Sequence, residues 1–160
     1  MQDQVSNHQV HRFLDPQLPS ATGDVDSVII EIKDFDALTI INTSGVSAQV
    51  WTDANKYDFK LLHGDTNVEA EMTAVEQKDV VGTTVAEGGI VWSFREVKAG
   101  VSPTSTIPVE FSYGYVGPKK YIMQTITIAG TMTAYTSVGA VAVSGIASNS
   151  DSNAKTDWRI

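Results

Sequence analysis

Residues Ile107–Ile128 read IPVEFSYGYVGPKKYIMQTITI. Ile107, Val109, Phe111, Tyr113 and Tyr115 occupy alternate positions, with Pro108, Glu110, Ser112 and Gly114 between them. An apolar–polar alternation of period two describes a β-strand with one buried face and one wetter face. Val116-Gly117-Pro118 breaks the run, and Lys119 and Lys120 lead into the next. From Tyr121 a second extended run places Ile122, Ile126 and Ile128 on one face and Tyr121, Met123, Thr125 and Thr127 on the other. Two such strands joined by a Gly-Pro turn predict a β-hairpin around which the remaining chain packs.

Working outward, Val28–Lys33 predicts a strand with Val28, Ile30 and Ile32 on one face, and Ala37–Thr43 and Val46–Trp51 predict two more. Tyr57, Phe59 and Leu61 share a face in Tyr57–His63, as do Ile90, Trp92 and Phe94 in Ile90–Val97. Thr131–Ser144 is a strand region rich in small residues, where Gly139 marks a bulge or the close approach of another backbone. Residues 64–81 carry no sustained 3.6-residue period and read as a long connection with one short helix. Short strands separated by Gly-rich breaks predict an all-β fold of about eight strands, an antiparallel β-sandwich or a jelly-roll-like barrel.

The body spans 25–146, between an extended N-terminal arm (1–24) and a C-terminal tail (147–160), both flexible. Pro16, Pro19 and Gly23 interrupt the arm, and Phe13 and Leu14 stand in it without a strand pattern. Trp158 and Ile160 stand likewise in the polar tail. Apolar side chains that no local core can hold are candidate anchors for a partner's pockets, so Phe13, Leu14, Trp158 and Ile160 are the expected partner-binding residues.

At 160 residues the chain is sized for one domain with a sizeable core. No apolar run approaches the roughly 20 residues that span a bilayer, and the polar first residues lack the apolar stretch of a signal peptide, so no membrane partner is expected. The absence of cysteine excludes disulfides and thiolate metal sites and suits synthesis in a reducing cytoplasm. A net charge of −8, spread along the chain, argues against nucleic acid as a partner and for a solvated acidic surface.

No group of residues carries recognisable catalytic chemistry. His8 and His11 lie three apart with no further ligand near them, and His63 ends an apolar strand. No serine sits in a nucleophile motif with histidine and acid partners. Asp65, Glu69 and Glu71 share an acidic loop that lacks the ligand spacing and turning glycine of an EF-hand. The expectation is a protein that is not an enzyme and takes no cofactor and no metal. Tyr57, Trp92, Phe94, Phe111, Tyr113 and Tyr115 are numerous enough for a sugar-stacking platform, but their alternation assigns most of them to the core.

The segment Phe111–Gly130, FSYGYVGPKKYIMQTITIAG, resembles a recurring pattern in small virion proteins of tailed bacteriophages. Tyr113-Gly114-Tyr115-Val116-Gly117 leads to the basic pair Lys119-Lys120, then Tyr121 and an alternating strand closing on Ala129-Gly130. The front is similar too: a polar arm carrying Leu14-Asp15-Pro16 and a strand pair ending at Gly45. The resemblance implies a β-rich structural protein of the capsid decoration or cement type, which binds the outside of the capsid and stabilises it. It implies the major capsid protein as partner, a homo-oligomer (a trimer by analogy), and a place on the capsid surface after assembly in the host cytoplasm. A head-completion, neck or tail ring protein is the alternative, and a carbohydrate-binding β-sandwich module a second.

Overall fold

A computed structural model describes residues 9–32, 38–94 and 108–144. The chain runs through β1 (Gln9–Gln17), β2 (Gly23–Asp26), β3 (Ile30–Glu31), β4 (Leu38–Ser44) and β5 (Lys56–Gly64). It continues through β6 (Thr73–Ala74), β7 (Val80–Val81), β8 (Ile90–Phe94), β9 (Val109–Tyr115), β10 (Tyr121–Ala129) and β11 (Val138–Ser144). Among the described residues the only helical turns are three-residue 3-10 turns at Glu69–Glu71, Gln77–Asp79 and Glu87–Gly89.

One sheet has the order β1-β11-β4-β9-β7. In the other, β10 and β5 are central, β2 and β3 flank β10, and β6 and β8 flank β5. Every strand pairing is antiparallel. The pairings nest: β1 with β11, β2 and β3 with β10, β4 with β9, β5 with β8. A long antiparallel ribbon rolled up so that its halves alternate between two sheets gives this pattern, which is a jelly roll with β7 added at one edge. The sandwich expected from the strand pattern is therefore present, in its jelly-roll form.

The core lies between the sheets. Leu38 and Ile40 of β4 and Tyr113 and Tyr115 of β9 face Tyr57, Phe59 and Leu61 of β5 and Ile122, Ile126 and Ile128 of β10, all buried. Rings interlock edge to face, with Phe59 and Phe111 4.9 Å apart and Trp51 and Tyr57 5.1 Å apart.

Several expectations are corrected. β9 and β10 are not a hairpin: β9 pairs with β4 and β7, β10 with β2, β3 and β5. The link Val116–Lys120 crosses from one sheet to the other. Period-two alternation states which side of a strand is buried and not which strand lies beside it, so an arch and a hairpin look alike in sequence. Gly117 permits the crossing, because the Tyr115 ring folds over it; a Cβ there would lie 2.5 Å from the Tyr115 hydroxyl.

The expected arm holds a sheet strand. Gln9–Gln17 pairs with β11, and its register shifts between Arg12 and Leu14. This bulge lets Phe13 and Leu14, neighbours in sequence, both turn inward. Val28 N–H also donates to the Phe13 carbonyl at 3.0 Å, tying β1 to the segment between β2 and β3. Val28 itself is exposed while Ile30 and Ile32 are buried, because the chain breaks at Ser27–Ile29 between those strands. Val46–Trp51 is irregular: Gln49 Oε1 accepts from Thr133 N–H at 2.8 Å and Ala134 N–H at 3.2 Å, fixing this segment to the loop before β11. Gly139 is a point of close approach, where a Cβ would lie 3.3 Å from the Pro16 Cα.

Candidate functional site

Of the four expected anchors, Phe13 is 0% exposed and Leu14 3%, both within the protein's own core. They are corrected from partner anchors to core residues, because a side chain already enclosed by its own sheets offers no surface to a partner. Trp158 and Ile160 lie outside the described residues. Tyr57, Phe94, Phe111, Tyr113 and Tyr115 are buried, and Trp92 is half-buried and stacked on Phe111 at 4.6 Å. These rings form core, not a platform.

At one end of the sandwich, polar groups meet where β9 crosses over. His63 Nδ1 and the Tyr115 hydroxyl are 2.9 Å apart, and Lys119 N–H donates to that hydroxyl at 3.2 Å. Tyr115 thus joins its own sheet to β5 and to the crossing link. Lys119 Nζ reaches Asp65 at 2.6 Å, which holds the Asp65 carboxyl below its ordinary pKa. Burial lowers the His63 pKa and raises that of Tyr115 to about 12, so both are neutral near pH 7. The acidic loop is engaged internally, since Thr66 Oγ1 donates to Glu71 Oε2 at 2.5 Å. Among the described residues no three acidic, histidine or cysteine groups converge as metal ligands. The chemistry of this corner is that of a clasp: neutral hydrogen-bonding groups hold the two sheets and their link together.

The outward side of the five-stranded sheet is different. Its register sets three rows of side chains. Val10, Val143, Thr39, Gly114 and Val81 form one across all five strands. Arg12, Val141, Ile41 and Ser112 form the second, and Gly139, Thr43 and Glu110 the third. Val10 is 68% exposed, Val81 52% and Val141 38%, with Val143 and Ile41 partly exposed. Val10 faces Val143 and Val141 faces Ile41 in directly paired positions, so the aliphatic groups are contiguous. Antiparallel sheets with one solvated face usually place polar groups there. On this one Arg12 and Glu110 are the only charged groups within the three rows.

The sequence reading missed this face, and a signal for it was present. Ala140-Val141-Ala142-Val143 and Ile40-Ile41 are apolar on consecutive positions, so both sides of β11 and β4 carry apolar groups. The other sheet contrasts with it: outward Thr125 and Thr127 donate to Asp26 and Asp24, each at 2.7 Å.

No family model matches the chain, and no curated protein does. Among solved structures it is similar to the SPBc2 prophage-derived protein YomS, at 17% identity and a TM-score of 0.44, over 86% of this chain and 93% of that one. It is also similar to the N-terminal cellulose-binding domain of Cellulomonas fimi β-1,4-glucanase C, at 12% identity and a TM-score of 0.39, over 87% of this chain and 88% of that one. At such distances neither likeness carries an argument about function.

Proposed function

We propose that the protein is a phage virion structural protein of the capsid decoration type, a binding module that attaches to the outside of a capsid and stabilises it. The observation that carries this reading is the contiguous, nearly uncharged aliphatic face of the five-stranded sheet. Exposed apolar patches of that kind mark contacts with other proteins. The resemblance of Phe111–Gly130 to small virion proteins supplies the setting, and a tightly interlocked jelly roll suits a part that must persist in a particle. Burial of the Tyr57, Phe94, Phe111, Tyr113 and Tyr115 rings counts against the sugar-binding alternative. Several copies on one particle would turn weak individual contacts into firm attachment.

The test is addition of purified protein to capsids that lack it, with bound copies read by gel densitometry and capsid melting by calorimetry. Saturable binding with a raised capsid melting temperature is expected. Absence of binding across the concentration range sinks the proposal, and binding confined to the portal vertex would move the protein to head completion.

A further inference from the structure

We propose that the clasp at the crossing from β9 to β10 is an acid-released latch. Protonation of His63 strands the hydrogen of the Tyr115 hydroxyl and frees the link 116–120, while the two sheets stay packed. The latch goes beyond the attachment reading and holds whatever the protein attaches to.

Hydrogen-bond arithmetic is the first argument. A phenol hydroxyl offers one hydrogen and accepts at its oxygen. Among the described residues the Tyr115 hydroxyl has two partners: Lys119 N–H, which donates to it at 3.2 Å, and His63 Nδ1 at 2.9 Å. Only Nδ1 can accept the hydroxyl hydrogen, so the neutral ring carries its own proton on Nε2. An imidazolium carries protons on both nitrogens. Nδ1–H and Lys119 N–H then converge as donors on one oxygen, and the hydroxyl hydrogen has no acceptor. The site is enclosed, since Tyr115 and His63 are both buried and the tyrosine ring lies over Gly117. A buried donor left unpaired is costly, and an outward swing of the link lets water take the missing place.

Position is the second argument. Four ties hold the link. Val116 N–H donates to the Asp79 carbonyl at 2.8 Å, and the Lys120 carbonyl accepts from Ile32 N–H at 2.7 Å. Lys119 Nζ pairs with Asp65 at 2.6 Å, and Lys119 N–H meets Tyr115. Only the Tyr115 tie leads to a group that changes charge between pH 5 and 8. Around His63 stand Tyr115 from β9, Asp79 and Glu76 from the turn before β7, Asp65 from the end of β5, and Lys119 from the link. β10 and β6 pair Ile122 and Thr73 with it, neither of them charged. The three carboxylates favour an imidazolium and Lys119 opposes one, but burial outweighs them and the closed ring resists protonation. Opening restores water to the ring and removes that penalty. The open state is therefore favoured as pH falls below the ordinary imidazole value of 6.5.

The experiment is amide hydrogen exchange by NMR on the full chain between pH 7.5 and 5.0, with each rate divided by the intrinsic rate at that pH. Val116 and Lys119 should exchange through local opening, with less protection than Ile126 in central β10. Their protection should fall about tenfold across this range; the ceiling is about thirtyfold, the gain in protonation of a free imidazole at pH 5.0. His63→Asn sets an amide oxygen where Nδ1 stands, so it should keep the protection seen at pH 7.5 and lose the pH dependence. Tyr115→Phe should leave Lys119 poorly protected at every pH. Imidazole nitrogen NMR of the wild type at pH 7.5 should show Nδ1 as the bare nitrogen, a result that needs no variant. A proton on Nδ1 of the neutral ring overturns the proposal. So does exchange of Val116 and Lys119 at the rate of Ile126, protection that does not change with pH, or a His63→Asn protein that opens in acid as the wild type does.

Discussion

His63 and Gln124 are polar side chains inside an apolar sandwich, and each is held by partners distant in sequence. Burial is the main influence on His63 and lowers its pKa below the ordinary 6.5; Asp79, Asp65 and Glu76 pull it upward and Lys119 downward. An unfolded imidazole takes up its proton near 6.5, while the folded one resists until a lower pH. Below about pH 6.5 the unfolded state therefore binds more protons, and stability falls as pH falls. The melting temperature should be level above neutrality and drop on acidification, and His63→Gln should flatten that slope. An unchanged slope in the variant would assign the effect elsewhere. Gln124 is wholly buried; its Oε1 accepts from the Tyr113 hydroxyl at 2.5 Å and its Nε2 donates to Asn42 Oδ1 at 2.8 Å. Gln124→Leu removes both bonds, leaving Tyr113 and Asn42 under-satisfied with only each other, and should cost about 1–3 kcal/mol in urea unfolding. The triple variant Gln124→Leu, Tyr113→Phe and Asn42→Leu should recover most of that loss, because no partner is then stranded. The alternation of β10 places Gln124 inward with Ile122 and Ile126, so its burial was legible. Its partners were not, since Asn42 lies 82 residues away.

Among the elements, β1 departs furthest from the sequence reading. His11 and Phe13 keep the alternation, Leu14 breaks it, and Pro16 follows, so the stretch looks like arm. The bulge against β11 reconciles these residues with a strand, and bulges depend on the partner strand's register. Phe13→Ala should therefore destabilise the whole protein by about 3–5 kcal/mol, as for a large core side chain. Removal of residues 1–17 should prevent folding, where a dispensable arm would leave the melting temperature unchanged. The crossing from β9 to β10 makes the same point. Both strands were legible from alternation, while their separation into two sheets rests on Tyr115 folding over Gly117 and bonding His63 across the core.

At the scale of the molecule, the first described strand pairs with the last, and each pairing encloses the next. Such nesting makes most contacts distant in sequence, which slows folding, and it leaves no unit that can detach alone. Unfolding should follow one transition with coincident fluorescence and circular dichroism signals, and refolding should take milliseconds to seconds. Two separate transitions would contradict a single rolled ribbon. The sequence by itself determined the all-β class, most strands, the inward placement of the aromatic rings and the acidic surface, because those depend on side-chain period and composition within a few residues. Only the tertiary structure decided that β9 and β10 part, that Phe13 and Leu14 are core, and that Val10, Ile41, Val81, Val141 and Val143 share one open face. Pairing and register are relations between distant segments, and alternation along one strand carries no record of its neighbour.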